Sequence, residues 1–290
     1  MRIKDILANG KVNVSCELSP PKELTSLENT AGIVAELANL NPAFISVTYG
    51  AAGTKATAEK TIEVARQIQC DNNVTALAHL TCINAEDDII DHTLDCLHAD
   101  GIENILALRG DIPEGYEFNT NAKYRHASDL AAKIKARGDF CIGGACYPEG
   151  HTESENRAND IENLKIKVDA GCDFLTTQMF FDNNILYSFM FRLLKAGIDV
   201  PIVAGIMPVV NAKQIERICR LSGTALPPRF AAIVDRFGNN PKSMRQAGIA
   251  YMTEQIIDLV ANGVTNIHIY TMNKPDIAKS IMGNLSDIIN

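Results

Sequence analysis

The sequence lacks the features that would place it in a membrane, on nucleic acid or around a structural metal. No run of about twenty apolar residues occurs without a charge or a turn, so a helical membrane span is not expected. No cluster of Lys and Arg offsets the net charge of −8, which argues against a general nucleic-acid binder. The opening residues Met1-Arg2-Ile3-Lys4-Asp5-Ile6-Leu7 lack the apolar core of a secretory signal, and a cytoplasmic location is the expectation. The eight cysteines (Cys16, Cys70, Cys82, Cys96, Cys141, Cys146, Cys172 and Cys219) include no Cys-x-x-Cys pair. A zinc site would want paired Cys or His at short spacing, so no metal is expected and reduced, mostly buried thiols are. A Gly-x-Gly-x-x-Gly turn is also missing after the first apolar run, where Glu17-Leu18-Ser19-Pro20-Pro21 stands instead. That absence argues against an open dinucleotide-binding sheet.

What is present is a globular composition, 46 % hydrophobic and 21 % charged over 290 residues, arranged in a regular alternation. Short β-branched runs at Val12–Leu18, Ala43–Thr48, Val74–Leu80, Asn104–Leu108, Phe140–Cys146, Phe174–Gln178, Pro201–Ile206 and Asn266–Tyr270 read as strands. Their near-continuous apolar character suits parallel strands covered on both faces. Longer stretches with helical periodicity separate them: Ser26–Leu40, Thr57–Gln69, Glu86–Ala99, Ser128–Arg137, Asn156–Ala170, Asn183–Ala196, Asn211–Leu221, Ser243–Ala261 and Pro275–Ile289. Several stop at a glycine, the expected helix terminator. The repeat is roughly thirty residues, the size of one strand–helix step. Eight such steps without a linker predict a single (β/α)8 TIM barrel domain over residues 1–290. The connection after strand seven is longer and carries Pro227-Pro228 and Gly238-Asn239-Asn240-Pro241, which predicts extra helix there.

In such a barrel the active site lies at the C-terminal ends of the strands. Those ends deliver Glu17, then Thr48-Tyr49-Gly50, His79-Leu80-Thr81 and Arg109-Gly110-Asp111. The later strands deliver Tyr147-Pro148-Glu149-Gly150-His151, Gln178, Met207-Pro208 and Tyr270-Thr271-Met272-Asn273. Polar groups at nearly every strand end, above apolar strand bodies, point to an enzyme or a ligand binder without specifying the reaction.

The same residues carry a resemblance. Val14-Ser15-Cys16-Glu17-Leu18-Ser19-Pro20-Pro21, Ser46-Val47-Thr48-Tyr49-Gly50, Ala78-His79-Leu80-Thr81-Cys82, Ala107-Leu108-Arg109-Gly110-Asp111 and Thr177-Gln178-Met179-Phe180-Phe181-Asp182 resemble methylenetetrahydrofolate reductases in order and spacing. Gly205-Ile206-Met207-Pro208 and His268-Ile269-Tyr270-Thr271-Met272-Asn273 extend the likeness over essentially the whole chain. The chain looks like the short bacterial form of the family, without the C-terminal regulatory domain of the larger eukaryotic members.

The resemblance implies reduction of 5,10-methylenetetrahydrofolate to 5-methyltetrahydrofolate, with NAD(P)H as donor, FAD as cofactor and ping-pong kinetics. It implies Glu17 as the acid that protonates the nitrogen leaving the methylene bridge, a role that burial would favour by raising its pKa. The structural alternative for Glu17 is a strand-end carboxylate paired with Lys22. Asp111 is implied near the flavin pyrimidine and the pterin, where its charge would disfavour negative charge on the flavin. Thr48, His79, Arg109, Gly110, Tyr147, His151 and Tyr270 are implied as flavin contacts, and Ala127 as a backbone contact. Asp160, Asn163 and Lys167 share one helix face by spacing, and the resemblance assigns that face to the AMP half of FAD. Gln178, Gln214, Ile218 and Lys274 are implied on the substrate side. Three positions depart from the family. Ile166 stands where a basic residue is frequent, Ile218 where one member has a stacking Phe, and Lys274 where Arg is common. Family members are commonly oligomers, so a homo-oligomer is one expectation. Two other readings stay open: a flavin-free barrel lyase or aldolase, and a non-catalytic flavin- or folate-binding barrel.

Overall fold

The eight apolar runs form eight parallel strands, closed into a barrel, in a computed structural model of the chain. It describes residues 1–21, 27–50, 55–83, 85–112, 122–138 and 140–289. The strands are β1 (Asn13–Leu18), β2 (Ile45–Val47), β3 (Ala76–Thr81), β4 (Asn104–Leu108), β5 (Cys141–Cys146), β6 (Phe174–Thr177), β7 (Ile202–Ile206) and β8 (Asn266–Tyr270). Each pairs with its sequence neighbours, and β8 returns to β1 with Glu17 opposite Tyr270. Val, Ile, Leu and small residues dominate the strand bodies because both faces are covered, by helices outside and by packed side chains inside.

The helices are α1 (Ile3–Leu7), α2 (Leu27–Ala38), α3 (Lys55–Arg66), α4 (Asp87–Ala99), α5 (Ala127–Arg137), α6 (Arg157–Asp169), α7 (Asn183–Lys195), α8 (Ala212–Ser222), α9 (Pro228–Phe237), α10 (Pro241–Ala261), α11 (Pro275–Asn284) and α12 (Ser286–Ile289). Several begin on side chains that cap the first turn: Asn156, Asp182, Asn211 and Asn240 each accept a backbone N–H. The extra helix expected between strands seven and eight is α9, with Pro228 in its first turn. Several bounds differ from the sequence reading. The second expected helix starts earlier, at Lys55, and ends in a π-helical turn over Gln67–Asp71. Pro275–Ile289 divides at Leu285 into α11 and α12. The expected Ser26–Leu40 helix begins at a residue outside the described ones.

Helix α1 was not expected. Its Ile3, Ile6 and Leu7 pack into one cluster with Phe44, Leu77, Leu106, Cys141, Phe174 and Val203, which come from the strand starts. It closes the bottom of the barrel. Above this apolar plug lies a polar layer. Ser15 on β1 and Ser46 on β2 hydrogen-bond the two ring nitrogens of His268 on β8, at 2.7 and 3.0 Å. All eight cysteines are free thiols, and Cys16, Cys82, Cys141, Cys146 and Cys172 are buried. Among the described residues no helix is long and apolar enough to cross a membrane.

Candidate active site

The ends of β4 and β5 open into a cavity of about 550 Å³. The segment after β4 supplies Arg109, Gly110 and Asp111, and the segment after β5 supplies Tyr147, His151, Glu153 and Ser154. The start of α5 supplies His126, Ala127 and Ser128, and α6 contributes Asp160, Asn163, Ile166 and Lys167. Gly110 is required where it stands. Its φ is +93°, and a Cβ there would lie 2.6 Å from Ile83 Cγ2. The N-terminus of α5 presents its positive end to the cavity, a favourable place for an anion.

Arg109 already holds an anion. Its Nη1 and Nη2 donate to the two carboxylate oxygens of Glu153 at 2.5 and 2.7 Å, and Nε donates to the Gly110 carbonyl at 3.2 Å. This pairing raises the Arg109 pKa and lowers that of Glu153. Deeper in the cavity, Lys167 Nζ donates to the Ala145 carbonyl at 2.6 Å, and burial lowers its pKa. Asp160 is buried and accepts from Ser154 Oγ at 3.1 Å. Tyr147 meets His151 edge-on, with ring centroids 4.6 Å apart. Burial pushes the Tyr147 hydroxyl up to about 12 and moves His151 downward.

Glu17 sits at the end of β1, with its side chain 19 % exposed. Burial pushes its pKa from 4.5 up to about 8. Its Oε2 lies 3.7 Å from His79 Nε2, but the two do not form an ion pair near neutral pH. Burial depresses His79 to about 3, so the imidazole is neutral and the carboxyl is protonated. Lys22, the alternative partner for Glu17, lies outside the described residues. Among the described residues, two buried polar atoms here have no hydrogen-bond partner, His79 Nε2 and Thr81 Oγ1. Thr81 lines the cavity. Buried polar groups are normally satisfied, so Thr81 Oγ1 marks where the cavity would accommodate a polar ligand edge. Together with the α5 N-terminus, Arg109 and the α6 face, the residues present fit a cofactor with an anionic bridge and a polar planar head.

The structure brings Arg109, Gly110, Asp111, Ala127, Tyr147, His151, Asp160, Asn163 and Lys167 to this one cavity. Asp111 is exposed at the rim rather than buried. Ile166, 58 % exposed, lines the same wall beside Lys167. Gln214, Ile218 and Lys274 meet in a second, small depression with Met207, Pro208 and Met272, at the ends of β7 and β8. Glu17, Thr48, His79, Gln178 and Tyr270 line neither concavity. The Thr48 carbonyl accepts from Thr61 Oγ1 at 3.2 Å. Gln178 Oε1 accepts from the Met179 N–H at 3.0 Å. The Tyr270 hydroxyl donates to the Thr177 carbonyl at 2.5 Å, across Gly205, where a Cβ would lie 2.5 Å from the Tyr270 hydroxyl oxygen.

The sequence reading did not assign Tyr49, Thr81, Ser128, Cys146, Glu153 and Ser154, all of which line the cavity. For Thr81 a signal existed, since it follows His79 by two residues and shares its strand face. For Glu153 there was none, because its partner is set by a loop without periodicity.

A family model described as methylenetetrahydrofolate reductase matches residues 2–286. A relative named methylenetetrahydrofolate reductase (NADH) 1, from Arabidopsis thaliana, is 35 % identical over 297 residues, covering 98 % of this chain and 50 % of that one. The 5,10-methylenetetrahydrofolate reductase of Escherichia coli (strain K12) is 34 % identical over 276 residues, covering 95 % of this chain and 91 % of that one. The chain therefore spans about half the length of the plant relative and most of the bacterial one. Among solved structures, an uncharacterized protein from Clostridium thermocellum that binds two copies of 5-methyl-5,6,7,8-tetrahydrofolic acid superposes with a TM-score of 0.62. It is 15 % identical and covers 99 % of both chains, a likeness of fold.

Proposed function

The chain belongs to the methylenetetrahydrofolate reductase family, and from that premise we propose that it reduces 5,10-methylenetetrahydrofolate to 5-methyltetrahydrofolate with NAD(P)H as donor. Bound FAD would supply the redox chemistry, passing hydride from the nicotinamide to the folate in alternating, ping-pong half-reactions. Arg109 and the α5 N-terminus at Ala127 would hold its diphosphate, and Asp160, Asn163 and Lys167 its AMP half. Gly110, Tyr147 and His151 would line the same cleft, and Thr48, His79 and Tyr270 would flank the flavin end. With Ile166 on the wall, that grip has one charge fewer than is frequent in the family.

Glu17 carries this reading. A carboxyl that keeps its proton at neutral pH is an acid ready for use. It would donate that proton to the folate nitrogen leaving the methylene bridge. Asp111, at the rim, would accept hydrogen bonds from the pterin amino group. Gln178 has both a donor and an acceptor in one amide, which suits it to the nicotinamide and the folate in turn. Gln214, Ile218 and Lys274 would receive the remainder of the folate, with Lys274 as a point charge for a carboxylate.

The test is direct. Protein reconstituted with FAD should be yellow, should bleach under anaerobic NADH or NADPH, and should recover its colour on addition of 5,10-methylenetetrahydrofolate, with 5-methyltetrahydrofolate as product. Failure to retain FAD would overturn the reading in favour of a flavin-free barrel enzyme. Yellow protein that neither nucleotide bleaches would make it a binding module.

A further inference from the structure

We propose that Asn273 is a positioning residue for Glu17: its side chain clamps the backbone just beyond β1 and so fixes where the acid's carboxyl stands. The inference rests on the reading of Glu17 as the proton donor. The backbone is irregular at this turn. Met272 and Asn273, directly after β8, have φ of 52° and 56°, two successive left-handed residues without a glycine. Such a conformation is unfavourable for an ordinary L-residue, and Asn tolerates it better than Met. Strain of this kind persists only where surrounding contacts hold it, and it clusters at functional sites.

The contacts that hold it run to the acid's strand. Asn273 Nδ2 donates to the Ser19 carbonyl at 2.9 Å, and the Ser19 N–H donates to Asn273 Oδ1 at 2.8 Å. Two residues earlier, Thr271 Oγ1 donates to the Glu17 carbonyl at 2.5 Å. Backbone pairing between β1 and β8 ends at Glu17 opposite Tyr270. Ser19 is followed by Pro20-Pro21, which have no N–H to continue a ladder. The Asn273 amide therefore acts as a further rung, offering one donor and one acceptor to a strand whose own pairing has run out. A short side chain with both functions is what this geometry needs. Asp would keep the acceptor and lose the donor, and Gln is a methylene too long.

Three hydrogen bonds thus tie Glu17 and Ser19 to one turn. The same turn places Met272 and Lys274 in the depression shared with Gln214 and Ile218. The element that holds the acid is also the element that would meet the substrate. Small displacements of a reacting group, about 1 Å, can cost about a hundredfold in rate.

The experiment uses Asn273→Gly, which keeps the left-handed backbone and removes the clamp, beside Asn273→Asp, which keeps the acceptor. Ser19 is exposed, so its amide should exchange slowly only because Asn273 accepts from it. Hydrogen exchange at Ser19 should be fast in the Gly variant and slow in the Asp variant. In the FAD-loaded protein, the folate half-reaction at saturating folate should slow roughly tenfold to a hundredfold in Asn273→Gly. Its nicotinamide half-reaction should stay within about twofold, because that step needs no acid. Slow Ser19 exchange in the Gly variant, or equal effects on both half-reactions, would overturn the proposal. Wild-type protein that never reduces the folate would remove the reading of Glu17, and this proposal with it. Wild-type protein that does so no faster than Asn273→Gly would remove this proposal alone.

Discussion

Replacing Glu17 with Gln should stabilise the folded protein, by an amount that grows with pH. In the unfolded chain this carboxyl ionises near 4.5, and in the folded barrel burial moves it to about 8. Between those values the native state holds a proton that the unfolded state has released. Wild-type stability therefore falls as pH rises from about 4.5 through about 8, and levels off above that. Each pH unit is worth about 1.4 kcal/mol, so the full span corresponds to roughly 5 kcal/mol and the part reached at pH 7 to roughly 3 kcal/mol. The side chain is 19 % exposed, and water reaching it reduces the figure at pH 7 to about 2 kcal/mol. Gln is neutral at every pH and escapes the penalty. At roughly 2–4 °C per kcal/mol, the Gln variant should melt about 4–8 °C above wild type at neutral pH. Melting curves of both proteins without cofactor, from about pH 5 to about pH 9, would show a gap that opens with pH and then stays level. The folate half-reaction of the same variant should fall about 10²–10⁴-fold. A gap that does not change with pH, or a Gln variant less stable than wild type at alkaline pH, would refute the claim that Glu17 is an acid kept protonated by burial.

Three further outcomes follow from the cavity. Glu153→Gln removes the carboxylate that now occupies Arg109; an exposed pair of this kind is worth about 0.2–1 kcal/mol, so FAD should bind up to about fivefold more tightly. Fluorescence titration should show this gain for FAD and none for riboflavin, which has no diphosphate, and weaker FAD binding would contradict the assignment. Gly110→Ala forces a Cβ onto Ile83 at a φ of +93°, and should cost about 1–3 kcal/mol in denaturant unfolding together with loss of retained flavin. A fully stable Ala variant would show that the loop can move. Tyr270→Phe leaves the Thr177 carbonyl without its donor and should lower the unfolding free energy by about 1–3 kcal/mol with an unchanged denaturant slope.

The barrel was legible because its strands obey a simple rule and its helix boundaries carry chemistry. Asn104–Leu108 and Asn266–Tyr270 are bounded as their apolar runs suggest. The position of α9 follows from Pro227-Pro228, which can begin a helix but not continue one. Helix α1 was illegible because Ile3, Ile6 and Leu7 fill barely one turn, and their use as a plug depends on six strand starts far away in sequence. The site divides in the same way. Strand ends can be read from the alternation of strand and helix, so Arg109 and Tyr147 could be named as rim residues, whereas the α6 face was joined to them by the family resemblance alone. Which polar ends share a cavity depends on strand tilt and loop path, and period carries no information about either. That is why Glu17, His79 and Tyr270 lie off the cavity wall, while Glu153 and Tyr49 lie on it. The clamp at Asn273 was invisible for a related reason, since its partner Ser19 stands at the other end of the chain.

The polar layer beneath the rim explains why Glu17 can keep its proton with a histidine only 3.7 Å away. With Ser15 Oγ donating to the Ile267 carbonyl at 3.0 Å, its oxygen accepts from His268 in the tautomer that carries the hydrogen on Nδ1. Nε2 of that ring then accepts from Ser46 Oγ. Both nitrogens of a neutral His268 are thereby satisfied, and burial, with His79 beside it, depresses its pKa to about 3. His79 is held neutral by the same dryness. A charged imidazole at either position would stabilise the Glu17 carboxylate and draw its proton away. Desolvation disfavours the imidazolium and the carboxylate alike, so the neutral arrangement wins on both sides of the contact. The protonated state of Glu17 is therefore a property of the barrel interior: hydroxyls from two strands fix one neutral ring, an apolar cluster lies below it, and burial keeps the Glu17 proton in place.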